Sequence, residues 1–248
     1  MLDKNLVKNR FKKNLETYDN NAVVQRSMAK ILTEKICEYC GSEINKIFEF
    51  GVGTGFLTKD IIEKIKFDEY CANDIIEDSE DYVKHIIKNV KFLSGDIENM
   101  DVEDKFDLIA SNAVMQWVID AEELLHKMKA NLNASGYFAF TTFGPDNYIE
   151  IKEATGLSLN YLKSDTLKQL CEKDFEIIYF DEDISKLYFD TPMDVLKHIK
   201  NSGTNGLKPL SWTFSKLKNF ENFYKKNFTE NNQVTLTYHP IYMILKCK

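Results

Sequence analysis

The sequence predicts an α/β protein built on a mostly parallel sheet, and three observations carry that reading. Short apolar runs alternate with helical periodicity from residue 46 to residue 143. A turn holding Gly51, Gly53 and Gly55 follows the first of those runs directly. The final third then changes to two longer strand-like stretches. Alternating strands and helices imply parallel pairing through right-handed crossovers. A late pair of strands fits a sheet whose last strand is inserted antiparallel.

The elements follow in order. Residues 4–16 and 21–39 read as helices, the second with Val24, Met28, Ile31, Leu32 and Ile36 at three- and four-residue spacing. Strand 46–50, helix 55–66, strand 69–73, helix 78–88, strands 90–94 and 106–110, helix 120–132 and strand 136–143 come next. Residues 174–187 and 233–246 read as long strands, and residues 191–228 between them as a helical, aromatic insertion over the strand ends. One domain over 1–248 is expected, with helices in 1–40 capping the site and a helical lid across 188–230.

Composition narrows the function classes. The chain has 248 residues and a net charge of −7, an ordinary balance for one globular domain. It contains no apolar run of the roughly 18 residues that a membrane span needs. Met1-Leu2-Asp3-Lys4-Asn5 lacks a signal-peptide core, so a cytoplasmic protein is expected. Five scattered cysteines suit reduced thiols; Cys37 and Cys40 have the spacing of a metal or redox pair, but there is no second pair and they close a helix, so no metal is expected. From Thr191 onward nine lysines face Asp194, Glu221 and Glu230, which leaves the first 190 residues strongly acidic. An acidic body argues against nucleic acid as partner. A basic insertion beside the site suits an acidic substrate or carrier, and a solvated lysine-rich face is the alternative. The arginines are Arg10 and Arg26.

The chemistry is concentrated after the strands. Glu49-x-Gly51-x-Gly53-x-Gly55 makes a tight turn at which backbone can approach a nucleotide without Cβ clashes. A dinucleotide site would place glycine at position 56, which is Phe. The pattern looks like the first motif of S-adenosylmethionine-dependent methyltransferases. Asp74 ends the second strand at the distance where an acidic residue bonds ribose hydroxyls, with Ile75 placed against adenine; a helix N-cap is the competing reading of Asp74. The third strand ends in Gly95-Asp96-Ile97, and the fourth runs into Ser111-Asn112-Ala113. In that class the Asp96 position accepts from the adenine amino group while Ile97 covers the ring; an ordinary turn Asp is the alternative.

A narrower resemblance spans almost the whole chain. Arg10-Phe11-x6-Tyr18-Asp19-x2-Ala22-x2-Gln25, Ser111-Asn112-Ala113-x2-Gln116-Trp117, Phe143-Gly144-Pro145 and Pro192-x2-Val195-Leu196-x-His198-Ile199-Lys200-x2-Gly203-x-Asn205 followed by Trp212 resemble the malonyl-acyl-carrier-protein O-methyltransferases of biotin biosynthesis. The resemblance implies a Rossmann-like class I methyltransferase fold with a seven-stranded sheet. It implies methyl transfer from S-adenosylmethionine to the free carboxylate of malonyl on acyl carrier protein, or on coenzyme A, by a monomer. A different acceptor on the same fold, an aconitate-like acid or a quinone precursor, is the alternative. Glu49, Gly51, Gly53 and Gly55 would shape the pocket for the cofactor's methionine, with Glu49 reaching its ammonium. Asp74 with Ile75, and Asp96 with Ile97, would hold the nucleoside, while Ser111 and Asn112 stand near the sulfonium. Tyr18, Asn112 and Gln116 are expected at the reaction centre. Gln25, Arg26, Trp117, His198 and Asn205 are expected at the acceptor; the choice of Arg26 as its carboxylate clamp rests on the scarcity of arginine alone, and a surface arginine is the alternative.

Overall fold

The computed structural model describes residues 3–202 and 212–248. Helices α1 (Lys4–Asn21) and α2 (Val23–Tyr39) precede β1 (Lys46–Phe50), α3 (Phe56–Lys64), β2 (Glu69–Asp74), α4 (Ser79–Ile86), β3 (Lys91–Ser94) and β4 (Phe106–Ser111). A 3₁₀ turn (Met115–Trp117), α5 (Ala121–Ala130), β5 (Leu132–Phe143), α6 (Ile149–Thr155), α7 (Ser164–Cys171) and β6 (Phe175–Glu182) follow. The chain ends through β7 (Ser185–Phe189), α8 (Pro192–Asn201), α9 (Phe214–Asn227), β8 (Thr229–Glu230), β9 (Gln233–Tyr238) and β10 (Pro240–Cys247). No helix among the described residues is long and apolar enough to cross a membrane.

Seven strands form one sheet in the order β3-β2-β1-β4-β5-β10-β6. Pairings from β3 to β5 are parallel, and β10 lies antiparallel to both β5 and β6. Strands buried on both faces read as continuous apolar runs. Alternation along β1 sends Ile47 into a cluster with Leu32 and Ile61, while Phe48 and Phe50 join Phe138, Leu125 and Met128 on the opposite face. The strand order reverses between β1 and β4, the position at which open α/β sheets bind ligands.

The two long strands expected near the chain end are each divided in two. β6 turns out of the main sheet at Asp183, and β7 pairs instead with β9. β9 likewise gives way at His239 to β10, whose first residue is Pro240. Proline offers no ladder N–H and restrains the residue before it, so the ladder breaks there. The insertion therefore carries a small sheet, β7-β9-β8, as well as helices α8 and α9. α1 also continues five residues past its expected end, and residues 144–173, where the sequence suggested no element, hold α6 and α7.

Candidate active site

A cavity opens at the C-terminal ends of β1, β2, β3 and β4, beneath α1. Gly51, Gly53, Asp74, Ile75, Asp96, Ile97, Asn112 and Trp117 line it, as does Tyr18 from α1. Gly51 and Gly53 adopt φ of +69° and +53°, a left-handed region that favours glycine. A Cβ at Gly51 would lie 2.2 Å from Val114 Cγ2, whereas one at Gly53 would meet nothing within 4 Å. The turn is therefore closed on one side and open toward the cavity on the other.

Asp74 fixes that turn. Its carboxylate accepts from the Gly53 N–H at 2.7 Å and the Ile76 N–H at 2.8 Å. Burial pushes its pKa up to about 6, against the pull of those backbone donors. At the other end, Lys4 of α1 donates to both oxygens of Asp96, at 2.7 and 2.6 Å, and reaches Glu98 as well. Glu98 in turn accepts from the Ile119 and Asp120 N–H groups, so the roof and the wall are tied around one carboxylate pair. Asn112 is held between the Gln25 carbonyl, to which it donates at 3.0 Å, and the Thr141 hydroxyl, from which it accepts at 2.7 Å. Tyr18 stacks on Phe56 with ring centroids 5.5 Å apart, and burial raises its pKa above the usual phenol value.

Several expected contacts fall elsewhere. Glu49 does not line the cavity: alternation along β1 turns it to the α3 face, where it accepts from Thr58 at 2.7 Å and from the Tyr70 hydroxyl. Gly55 starts α3 and packs toward Ile86. Ser111 is fully buried and donates to the Phe50 carbonyl at 3.0 Å, behind the cavity wall. Arg26 is exposed outside the cavity, where it donates to the Asp19 carbonyl at 2.7 Å and lies over the Phe56 ring; the expected carboxylate clamp is absent from that position. The 3₁₀ turn separates Gln116 from Trp117, leaving Gln116 in a neighbouring cavity with Thr142 and Tyr161. His198 sits in α8, its Nε2 2.8 Å from the Tyr238 hydroxyl, and burial lowers its pKa. Asn205 lies outside the described residues.

Lys4, Val7, Phe11 and Leu15 also line the cavity, beyond the residues expected there from the sequence. Their three- and four-residue spacing through to Tyr18 is one helical stripe, and that stripe was the available signal.

Glu49 carries a pH signature. Desolvation pushes its pKa up to about 7, opposed by bonds from Tyr70 and Thr58. A raised folded-state pKa means its contribution to stability is full below about pH 4.5 and is lost as pH rises through about 7. Melting curves of Glu49→Gln should consequently lose part of the decline in melting temperature that the wild type shows between pH 5 and pH 8. Equal slopes for the two proteins would contradict this.

The fold and the ligand-sized cradle at its switch point together define a class I methyltransferase, and a methyltransferase-domain family model matches residues 43–228. The malonyl-[acyl-carrier protein] O-methyltransferase of Bacteroides thetaiotaomicron is 36% identical over 261 residues, covering 100% of this chain and 99% of its own. Its counterpart in Calditerrivibrio nitroreducens is 38% identical over 238 residues, covering 96% and 95%. The chain belongs to the malonyl-[acyl-carrier protein] O-methyltransferase family. Among solved structures, the N-methyltransferase NodS of Bradyrhizobium japonicum in complex with S-adenosyl-L-homocysteine superposes with a TM-score of 0.57 at 10% identity, covering 97% of this chain and 98% of its own. The plantazolicin methyltransferase BpumL, also in complex with that product, gives 0.55 at 15%, covering 98% and 94%. At these identities the likeness speaks for the fold.

Proposed function

We propose that this protein transfers the methyl group of S-adenosylmethionine to the free carboxylate of a malonyl thioester on acyl carrier protein, an early step of pimeloyl and biotin synthesis in the cytoplasm. The observation that carries this reading is the identity of 36–38% to malonyl-[acyl-carrier protein] O-methyltransferases running from end to end of the chain. The cavity agrees with it. Gly51 and Gly53 leave room for close backbone approach, Asp74 offers a buried acceptor for ribose hydroxyls, and Asp96 with Ile97 presents an acceptor beside an apolar face for adenine.

The bound cofactor supplies an electrophilic methyl on a sulfonium. The acceptor carboxylate has a reference pKa near 4 and is already ionised at neutral pH, so the protein has no proton to remove. Its work is to hold the acceptor against that methyl and to keep water away. Orientation of this kind is worth about 7–11 kcal/mol in well-aligned systems. Asn112, pinned on two sides, and Tyr18, whose raised pKa keeps it a protonated donor, are the groups we assign to that positioning. Phe11, Leu15 and Trp117 close an apolar roof above them and exclude solvent. The helices of the insertion act as a second cover, and His198 holds Tyr238 within it.

The carrier is acidic in this reading, and Lys197 and Lys200 are exposed on α8. Lys197→Glu combined with Lys200→Glu should lower kcat/KM for malonyl carrier by about tenfold at low salt and by far less at high salt, because exposed charges are screened within about 10 Å at 0.1 M ionic strength. A free dicarboxylic acid should show no such loss. Equal losses on both acceptors would remove the carrier from the account, and preferential methylation of a free acid by the wild type would replace it with a small soluble substrate.

A further inference from the structure

Gln25 lies in the first turns of α2 and is 1% exposed. Both polar atoms of its side chain, Oε1 and Nε2, are buried and lack a hydrogen-bond partner among the described residues. Buried amides are nearly always paired, because an unpaired one forfeits its bonds to water. Its place in the fold is informative. One face of α2 packs Ala22, Ala29 and Leu32 with Val52 and Ala110, and the next packs Val24 and Met28 with Phe143 and Tyr148. Gln25 falls on the seam between them. Its own carbonyl accepts from Asn112, so it stands beside the residue that follows β4, at the sheet's switch point.

The cavity thus has two differently equipped ends. Asp74 and Asp96 serve one, while Gly51 and Asn112 serve the other; Gln25, expected at the acceptor, is not part of the lining and adjoins this second end through the bond from Asn112 to its carbonyl. Glu49, the acidic residue expected to meet an ammonium there, is committed to Thr58 and Tyr70. We propose that Gln25 reads the amino-acid end of the cofactor, Nε2 donating to its carboxylate and Oε1 accepting from its ammonium. A primary amide presents one donor group beside one acceptor, the complement of a zwitterion, and being neutral it repels neither charge. This rests on the cofactor assignment above and is independent of the methyl acceptor.

The test compares S-adenosylhomocysteine with 5′-methylthioadenosine, which keeps the nucleoside and thioether but has no amino-acid end. In Gln25→Met, of similar volume and without the amide, calorimetry should show the dissociation constant for S-adenosylhomocysteine rising by about tenfold to a hundredfold, as expected for lost bonds to charged groups. That for 5′-methylthioadenosine should stay within about twofold. The ligand-free variant should also melt higher, by about 2–4 °C, because an unpaired buried amide has been replaced by an apolar group. A loss equal for both ligands, an unchanged affinity for S-adenosylhomocysteine, or a lower melting temperature would overturn the proposal. A wild type that binds S-adenosylhomocysteine yet methylates no malonyl thioester would sink the acceptor reading and leave this one standing.

Discussion

Asp74→Asn is expected to weaken binding of S-adenosylhomocysteine by about a hundredfold or more, because it removes a charged acceptor from two partners at once. Each hydrogen bond to a charged group is worth roughly 1.5–3 kcal/mol. The carboxylate holds the Gly53 N–H at 2.7 Å and the Ile76 N–H at 2.8 Å while facing the cavity. An amide keeps one acceptor and turns a donor toward either a backbone N–H or the ribose. The same residue gives binding and folding opposite pH dependences. Its pKa is pushed up to about 6, so cofactor affinity falls as pH drops below that value and the carboxyl is protonated. The stability of the ligand-free protein moves the other way: the folded state holds this proton more tightly than the unfolded chain, so the group's contribution grows as pH falls from about 6 toward 4. Calorimetry on wild type and Asp74→Asn from pH 5 to pH 8 tests both points, and a change in affinity below about threefold would contradict the assignment.

Gly51→Ala should act on folding as well as binding. Its φ of +69° and a Cβ placed 2.2 Å from Val114 Cγ2 combine backbone strain with a clash against the loop that follows β4. Left-handed strain is worth about 1–2 kcal/mol for a residue with a Cβ, and overpacking about 1–3 kcal/mol. Together these correspond to a fall in melting temperature of roughly ten degrees for a chain of this size. Gly53→Ala is the informative control. A methyl there carries the same left-handed strain but meets nothing within 4 Å, so its melting temperature should fall by less, through the strain alone, while affinity for S-adenosylhomocysteine drops. Equal melting temperatures for the two variants would show that the glycines are not divided in this way.

The positions of residues near the turn are legible in the sequence because backbone geometry dictates them. Glycines at alternate positions after an apolar strand, an acidic residue ending the next strand and Gly95-Asp96 ending the third specify where the chain bends and what it presents. All of these except Gly55 line the cavity. For Glu49 the motif and the strand parity disagree, and parity decides: in β1 it shares a face with Ile47, not with Phe50. Scarcity of arginine contains no direction, and Arg26 sits outside the cavity over Phe56. Pro240 signals the break between β9 and β10, and the consistently apolar residues on either side of it mask that signal. Lys4 bonding to Asp96 joins residues 92 positions apart, and nothing local in either segment foretells it.

The most direct measurement is intact mass analysis of malonyl-acyl carrier protein incubated with the purified protein and S-adenosylmethionine. The account predicts that the carrier gains one methyl group, that S-adenosylhomocysteine forms in equal amount, and that acetyl carrier, which has no free carboxylate, gains nothing. Cofactor binding without any methyl on the malonyl carrier, or equal methylation of the acetyl form, would contradict it.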